Sequence, residues 1–301
     1  MSTKLAPLGT RPSIAGRVRG GELSPRSVAF LILLWICLFI ALSFLVTLIV
    51  TTFIDGMGRL DAGLITEYPS SDPERAGARP AILGSIWVIA VTAVLTIPLG
   101  VAAALHLEEF ADKKNRFNRF IELNVQNLAA VPSIVYGLLA LSALSLIGVR
   151  DKNIVIGGAL ALGLLILPVI IISTREALRA VPLDIRQASI ALGASEVQTA
   201  FRQTLPAAVP GIATGTILAL SRALGEAAPL LLLGALVFVS FDPNGLLSGF
   251  TTMPIQIFNW TGRPQEEFHT LASAASILLL VILLAMNAIA IIIRNRFQQR
   301  W

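Results

Sequence analysis

The chain has 301 residues, of which 55% are hydrophobic and only 14% charged, with a mean hydropathy of +0.79. Soluble domains carry about a quarter charged residues, so these values exclude an ordinary soluble domain and indicate an integral membrane protein. The net charge of +5 does not indicate a nucleic-acid partner, because the basic residues fall in short loops between apolar runs, the positive-inside pattern of membrane proteins.

The first 27 residues form a basic tail with Lys4, Arg11, Arg17, Arg19 and Arg26. Six later stretches reach the roughly 20 apolar residues that a spanning helix needs: 28–54, 81–105, 121–147, 154–174, 207–239 and 271–293. The first is longer than a signal-peptide core of about 7–15 residues, no small-residue cleavage site follows, and it reads as a retained helix. Cys37, the one cysteine, lies inside it as a small packing residue. The polar segment 55–80 reads as an external linker between this helix and the rest.

The loop after the second span carries Lys113, Lys114, Arg116 and Arg119. The loop after the fourth carries Arg175, Arg179, Arg186 and Arg202, and the tail 294–301 carries Arg294, Arg296 and Arg300. With the N-terminal tail, 16 of the 23 basic residues fall on one side. Arg59, Arg75, Arg79, Arg150, Lys152 and Arg263 fall on the other. This bias puts both termini in the cytoplasm and agrees with an even number of spans. The external stretch 240–270 joins turn residues Pro243, Asn244 and Gly245 to an apolar run, MPIQIFNW, at 253–260. It reads either as an interfacial segment anchored by Trp260 or as an outer gate or docking surface.

The cytoplasmic stretch 175–206 is patterned beyond the needs of a linker. Pro182 closes one helical stretch, and Leu183, Ile185, Ala188 and Leu192 follow at helical spacing. Gly193 breaks the run. Ala194 and Ser195 cap a second amphipathic helix with Val197, Phe201 and Leu205 on one face, which Pro206 is expected to end. An apolar face on each helix requires a membrane surface or a docking protein to cover it.

The spacing Gln187-Ala188-Ser189, three residues, Gly193, nine residues, Gln203-Thr204-Leu205-Pro206 resembles the EAA loop of ABC-importer permeases. Gln187 stands where that family usually has Glu, and Gln203 where it usually has Ile. The first departure removes a charge able to pair with a basic residue of the ATPase. The stretches NLAAVPSIVYG at 127–137, RALGEAAPL at 222–230 and the terminal RNRFQQRW extend the resemblance to PstA-type permease subunits of bacterial phosphate ABC importers. The resemblance covers residues 81–301. It implies an all-α integral membrane fold of six transmembrane helices, the type I ABC-importer permease (MetI-like) fold, with a permease domain at 81–293 and a coupling loop at 187–206. It also implies a bacterial inner-membrane location, a second homologous permease as heterodimer partner, a cytoplasmic ABC ATPase dimer and a periplasmic or external phosphate-binding protein. Gln187, Ala188, Ser189, Gly193, Leu205 and Pro206 are then the residues expected to couple to the ATPase.

The 33 residues of 207–239 would make about 50 Å of helix against an apolar core of about 30 Å. The helix must protrude, tilt or break, and Gly225 and Pro229 are the natural hinge. Arg222 lies near its middle, with Glu226 one helical turn on. An arginine at bilayer depth costs about 2.5–3.5 kcal/mol on insertion scales, so it should face the bundle interior or a water-filled path. The pair reads either as a closed ion pair that fixes packing or as part of an anion path. Arg175, at the inner end of the fourth span, reads as an interfacial anchor or as an exit-side residue of that path. Gly211 and Gly215 form a GxxxG expected to serve helix packing. Asn127, Ser133 and Tyr136 are expected to hydrogen-bond across helices.

No Gly-Lys dipeptide occurs, so there is no phosphate loop of the G-x-x-x-x-G-K-[ST] type, and ATP hydrolysis must come from another chain. His106 and His269, the two histidines, fall on opposite sides of the membrane. No catalytic residues, metal or cofactor are therefore expected. A permease for another oxyanion such as sulfate or molybdate, or a stand-alone channel or carrier, are the competing readings. The carrier leaves the 187–206 spacing unexplained.

Overall fold

The computed structural model describes residues 25–112, 114–235 and 238–297. Among the described residues the secondary structure is helical, apart from one isolated antiparallel bridge between Ile154 and Gly249. Contacts divide the chain into a unit ending at Thr51 and a unit beginning at Thr52. Most of helix α1 (Pro25–Gly56) belongs to the first. The tail residues 1–24 and 298–301 lie outside the described residues.

The second unit is built around α6 (Val155–Arg179). This helix is apolar nearly all round, which requires neighbours on every side. Leu162, Ile166 and Ile170 are fully or almost fully buried along one of its faces. α3 (Arg79–Leu105) and α9 (Leu205–Leu224) pack along it, as do α5 (Ser133–Leu146) and the short α10 (Ala228–Leu233). α12 (Glu266–Phe297) lies against α9. Gly215 of α9 faces Ser173 of α6 so closely that a Cβ there would collide with it, and a Cβ at Gly211 would fall 2.6 Å from that of Ala177. The GxxxG pair is thus a packing device between these two helices.

Several expectations are corrected. Residues 121–147 are not one continuous helix. They form α4 (Arg116–Leu128) and α5, bent by 114° at a short break. Pro132 explains the break, since it lacks an N–H and disfavours helix in the residue before it. The polar face of α4, with Arg116, Arg119 and Glu122, also suits a helix that does not bury all of its surface. Among the described residues, five helices are long and apolar enough to cross a membrane, or six if the bent pair counts as one span. The last of them extends past residue 293, so the predicted tail is helical to Phe297.

Residues 55–80 are not a free linker. A 3₁₀ turn at Met57–Arg59 and α2 (Ala62–Thr66) lead to Leu64, Ala76 and Ala78, all fully buried. They share a core with Met253 and Trp260 of α11 (Met253–Thr261) and with Phe268 and Leu271 of α12. Trp260 is therefore a core residue with no exposed surface, not an interfacial anchor. Asp242 accepts a forked contact from Arg79, 3.1 Å from Nε and 2.7 Å from Nη2, which ties the segment before α11 to the start of α3.

Pro206 does not end a helix. α8 (Glu196–Thr199) passes through a π-turn at Ala200–Thr204 directly into α9. The widened turn accommodates the proline, whose ring and missing N–H do not fit a regular α-helical ladder.

Gly215→Leu is expected to destabilise the protein by about 1–3 kcal/mol through overpacking against Ser173. A fall in melting temperature in detergent, with little change for an exposed control such as Gly58→Ala, would bear this out.

Candidate functional site

Two groups of residues stand out. The first is a helix break. α9 ends at Leu224, with Gly225 in a helical conformation at its C-terminus and its N–H bonded to the Arg222 carbonyl at 3.2 Å. α10 begins after Ala227, with Pro229 in its first turn, where a missing N–H costs nothing. The overlong apolar stretch therefore breaks between Gly225 and Pro229, as its length requires.

The two halves of the break are held by different neighbours. In α9, Ser221 donates to Asn287 of α12, and Thr214 accepts from Arg294 at 2.9 Å. In α10, the Pro229 backbone lies against Gly137 of α5, where a side chain would not fit. Tyr136 donates from its hydroxyl to the Leu128 carbonyl, bracing the bend between α4 and α5.

Arg222 sits in the last turn of α9, where the helix dipole favours a cation. Glu226 lies beyond the helix end, so the two are not stacked on one continuous face as their spacing suggests. Nε of Arg222 and Oε1 of Glu226 stand 3.8 Å apart, within ion-pair reach but beyond a hydrogen bond. The Arg222 side chain is 51% exposed and that of Glu226 22%. Glu226 also lines a small cavity of about 10 Å³ with Ser85 and Thr252. The Thr252 hydroxyl there is buried with no hydrogen-bond partner among the described residues.

The second group surrounds the loop after α6. α7 (Leu183–Ala191) ends at Gly193, whose φ of +87° places it in the left-handed region that favours glycine. Ser195 caps α8 in a reciprocal capping box with Gln198, as expected from sequence. Ser189 and Thr199 share a hydrogen bond of 2.9 Å between the two helices. Gln187, Ala188 and Gly193 are exposed, Pro206 is exposed, and Leu205 is half-buried. Leu183, Ile190, Val197 and Phe201 are more than half exposed, and Leu192 is 90% exposed. Ala188, Ser189, Leu192, Gln198, Arg202 and Gln203 line a concavity of about 440 Å³.

Arg175 lines a separate cavity with Glu122 and Arg179. It is 8% exposed and donates from Nε to Glu108 at 3.3 Å and from Nη2 to Glu122 at 2.7 Å. Arg179, one turn on, reaches the same Glu108 oxygen at 2.9 Å. Glu108 lies in the π-turn His106–Phe110 that ends α3, and Glu122 on α4. Two arginines and two glutamates thus join the ends of α3 and α6 to the middle of α4, beside a cavity of about 260 Å³ that Glu122, Arg175 and Arg179 line. Sequence reasoning missed both glutamates. The available signals were the Glu108-Glu109 doublet closing an apolar run and the i,i+4 spacing of Arg175 and Arg179.

Residues 96–301 match the family of binding-protein-dependent transport system inner membrane components. The probable ABC transporter permease protein YqgI of Bacillus subtilis is 32% identical over 268 residues, covering 85% of this chain and 90% of that protein. The phosphate transport system permease protein PstA 1 of Mycobacterium tuberculosis is 33% identical over 72% of this chain and 70% of its own length. The PstA protein of Yersinia pestis is 31% identical over 84% of each. Among solved structures, a bacterial alginate ABC transporter with a pentasaccharide-bound periplasmic protein matches with TM-score 0.63 at 16% identity, over 89% of this chain and 96% of that one. The inward-facing MetNI methionine ABC transporter matches with TM-score 0.58 at 18% identity, over 76% of this chain and all of that one. These structures share the fold.

The bracket makes a contrast in stability. Glu108→Ala removes the buried acceptor of two arginines and is expected to cost about 3–5 kcal/mol. Glu122→Ala, at a site 35% exposed, is expected to cost about 1 kcal/mol or less. Unfolding in detergent, compared between the two variants, reads the difference.

Proposed function

The chain belongs to the family of binding-protein-dependent transport system inner membrane components, and on that premise we propose that it is a PstA-type permease subunit of an ATP-driven inorganic phosphate importer. The relatives named as phosphate transport permeases support the substrate. Its several long apolar helices make it a multi-pass membrane protein. The bias of basic loops supports both termini in the cytoplasm of a bacterial inner membrane. The permease domain is 81–293, and the segment 55–80 is its external, folded prelude.

In this reading the chain forms half of the translocation path. A second, homologous permease subunit supplies the other half. An external phosphate-binding protein delivers the substrate, and a cytoplasmic ABC ATPase dimer drives the cycle. The loop 187–206 couples to that ATPase. Gln187, Ala188, Ser189 and Gly193 lie on its turn side, and Leu205 and Pro206 continue it into α9. The exposed Leu192 and the concavity beside it offer the ATPase an apolar foothold.

The observation that carries the path assignment is the half-exposed Arg222 at the broken middle of an apolar stretch, with its carboxylate partner 3.8 Å away and not hydrogen-bonded. A closed structural pair would be buried and in contact, because an unsatisfied charge in apolar surroundings is costly. Phosphate carries about one to two negative charges at neutral pH, and an inside-negative potential opposes its entry by about 2.3 kcal/mol per charge per 100 mV. An arginine supplies both the compensating charge and a planar donor fork for its oxygens. Glu226 occupies that fork loosely while no anion is present, and the hinge at Gly225 and Pro229 lets the two groups separate. Arg175, held by Glu108 and Glu122, acts on this path by fixing the helix ends that flank its inner side.

Arg222→Ala is expected to abolish phosphate uptake while the complex still assembles and its ATPase still turns over. Arg222→Lys, which keeps the charge and loses the fork, is expected to retain partial uptake. Uptake of labelled phosphate into proteoliposomes checks both, and wild-type rates in Arg222→Ala would refute the role.

A further inference from the structure

α7 is the element that the proposed coupling loop presents outward, yet none of its nine residues is buried. Its apolar grip on the body of the protein is limited to the half-buried Ile185, which packs against the cluster of Leu105, Leu178 and Ile212. A polar hold adds to it. Arg186, next to the coupling residue Gln187, places Nη2 2.9 Å from Oε1 of Glu109 and donates from the same nitrogen to the Leu178 carbonyl at 2.7 Å. Both side chains of the ion pair are largely withdrawn from solvent, at 20% and 11% exposure, so salt and water screen it less than a surface pair.

The receiving end is stiff. Glu109 follows Glu108 in the π-turn that closes α3. Glu108 is fixed by Arg175 and Arg179 of α6, and Arg175 also holds Glu122 of α4. Leu178, whose carbonyl Arg186 engages, is itself fully buried on α6. Phe110, the last residue of the same π-turn, stacks on Phe201 at 6.5 Å between centroids. The contacts of α7 thus lead to the joined ends of α3 and α6, and through Glu122 to the middle of α4, rather than to a single flexible side chain.

We infer that Arg186 is a positioning residue for transport, and that its ion pair with Glu109 transmits the displacement of α7 to the helices that line the path. The inference rests on the phosphate-importer reading above. It touches neither phosphate nor nucleotide, so its loss separates two quantities that a failure of folding would lower together: ATP hydrolysed and phosphate moved.

The test uses proteoliposomes of the full transporter with its partner permease, ATPase and external binding protein. The readout is the ratio of phosphate accumulated to ATP hydrolysed. Arg186→Gln and Glu109→Gln are each expected to lower that ratio about tenfold, and the double variant no further than either alone, as coupled residues do. Arg186→Lys is expected to retain most of the ratio. Glu109→Gln is nearly isosteric and carries the test by itself where Arg186→Gln fails to assemble. A wild-type ratio in Glu109→Gln overturns the inference, as does a double variant whose loss is the product of the two single losses. A wild-type transporter that hydrolyses ATP but moves no phosphate would overturn the substrate reading as well.

Discussion

An apolar slab accepts a charged side chain only where another charge, a backbone dipole or water answers it. Most of what is distinctive in this protein follows from how it meets that constraint at Arg222. The apolar stretch that carries it is too long to cross as one helix, and the chain breaks it at Gly225. The break leaves Arg222 in the last turn of α9 and sets Glu226 just past its end. Neither group is sealed away: the pair stays open at 3.8 Å, and the arginine is half exposed. That combination suits a cation that must meet an anion and release it, more than one that must only hold two helices together.

At the other end of α6 the same kind of chemistry is closed. Arg175 and Glu108 are almost entirely buried and in direct contact, with Arg179 and Glu122 completing the bracket. Buried pairs of this kind add specificity of arrangement more readily than net stability, and here they fix the ends of α3 and α6 against each other and against the middle of α4. Arg186 extends the bracket to α7, the least buried helix of the loop. The molecule thus combines an open charge pair at a helix break with a closed charge network beside α7.

Much of this was legible in the sequence. Apolar length found the membrane-crossing helices, because hydropathy averaged over about 20 residues is a strong signal. Gly193 and Ser195 marked the turn and the cap correctly, since both rest on local backbone chemistry. Arithmetic on helix rise required 207–239 to protrude, tilt or break, and Gly225 and Pro229 marked where it breaks. The failures share a cause: they depend on partners distant in the chain. Averaged hydropathy over 121–147 hides a 114° bend at Pro132. Pro206 looked like a stop because a π-turn cannot be read from composition. Residues 55–80 looked like a linker because the core that receives Leu64 and Ala78 comes from α11 and α12. The partners of Arg175 went unseen because Glu108 and Glu122 lie 67 and 53 residues away.

The claim on which the account turns is that Arg222 meets the transported anion from a water-accessible position. Charge-restoring chemistry tests it directly. In a Cys37→Ala background, Arg222→Cys would be treated with a cationic or an anionic methanethiosulfonate reagent, and phosphate uptake by the reconstituted transporter measured. The account predicts that the unmodified variant is inactive, that the cationic adduct restores uptake, and that the anionic adduct does not. Wild-type uptake in the unmodified variant, or equal recovery with both adducts, would contradict it.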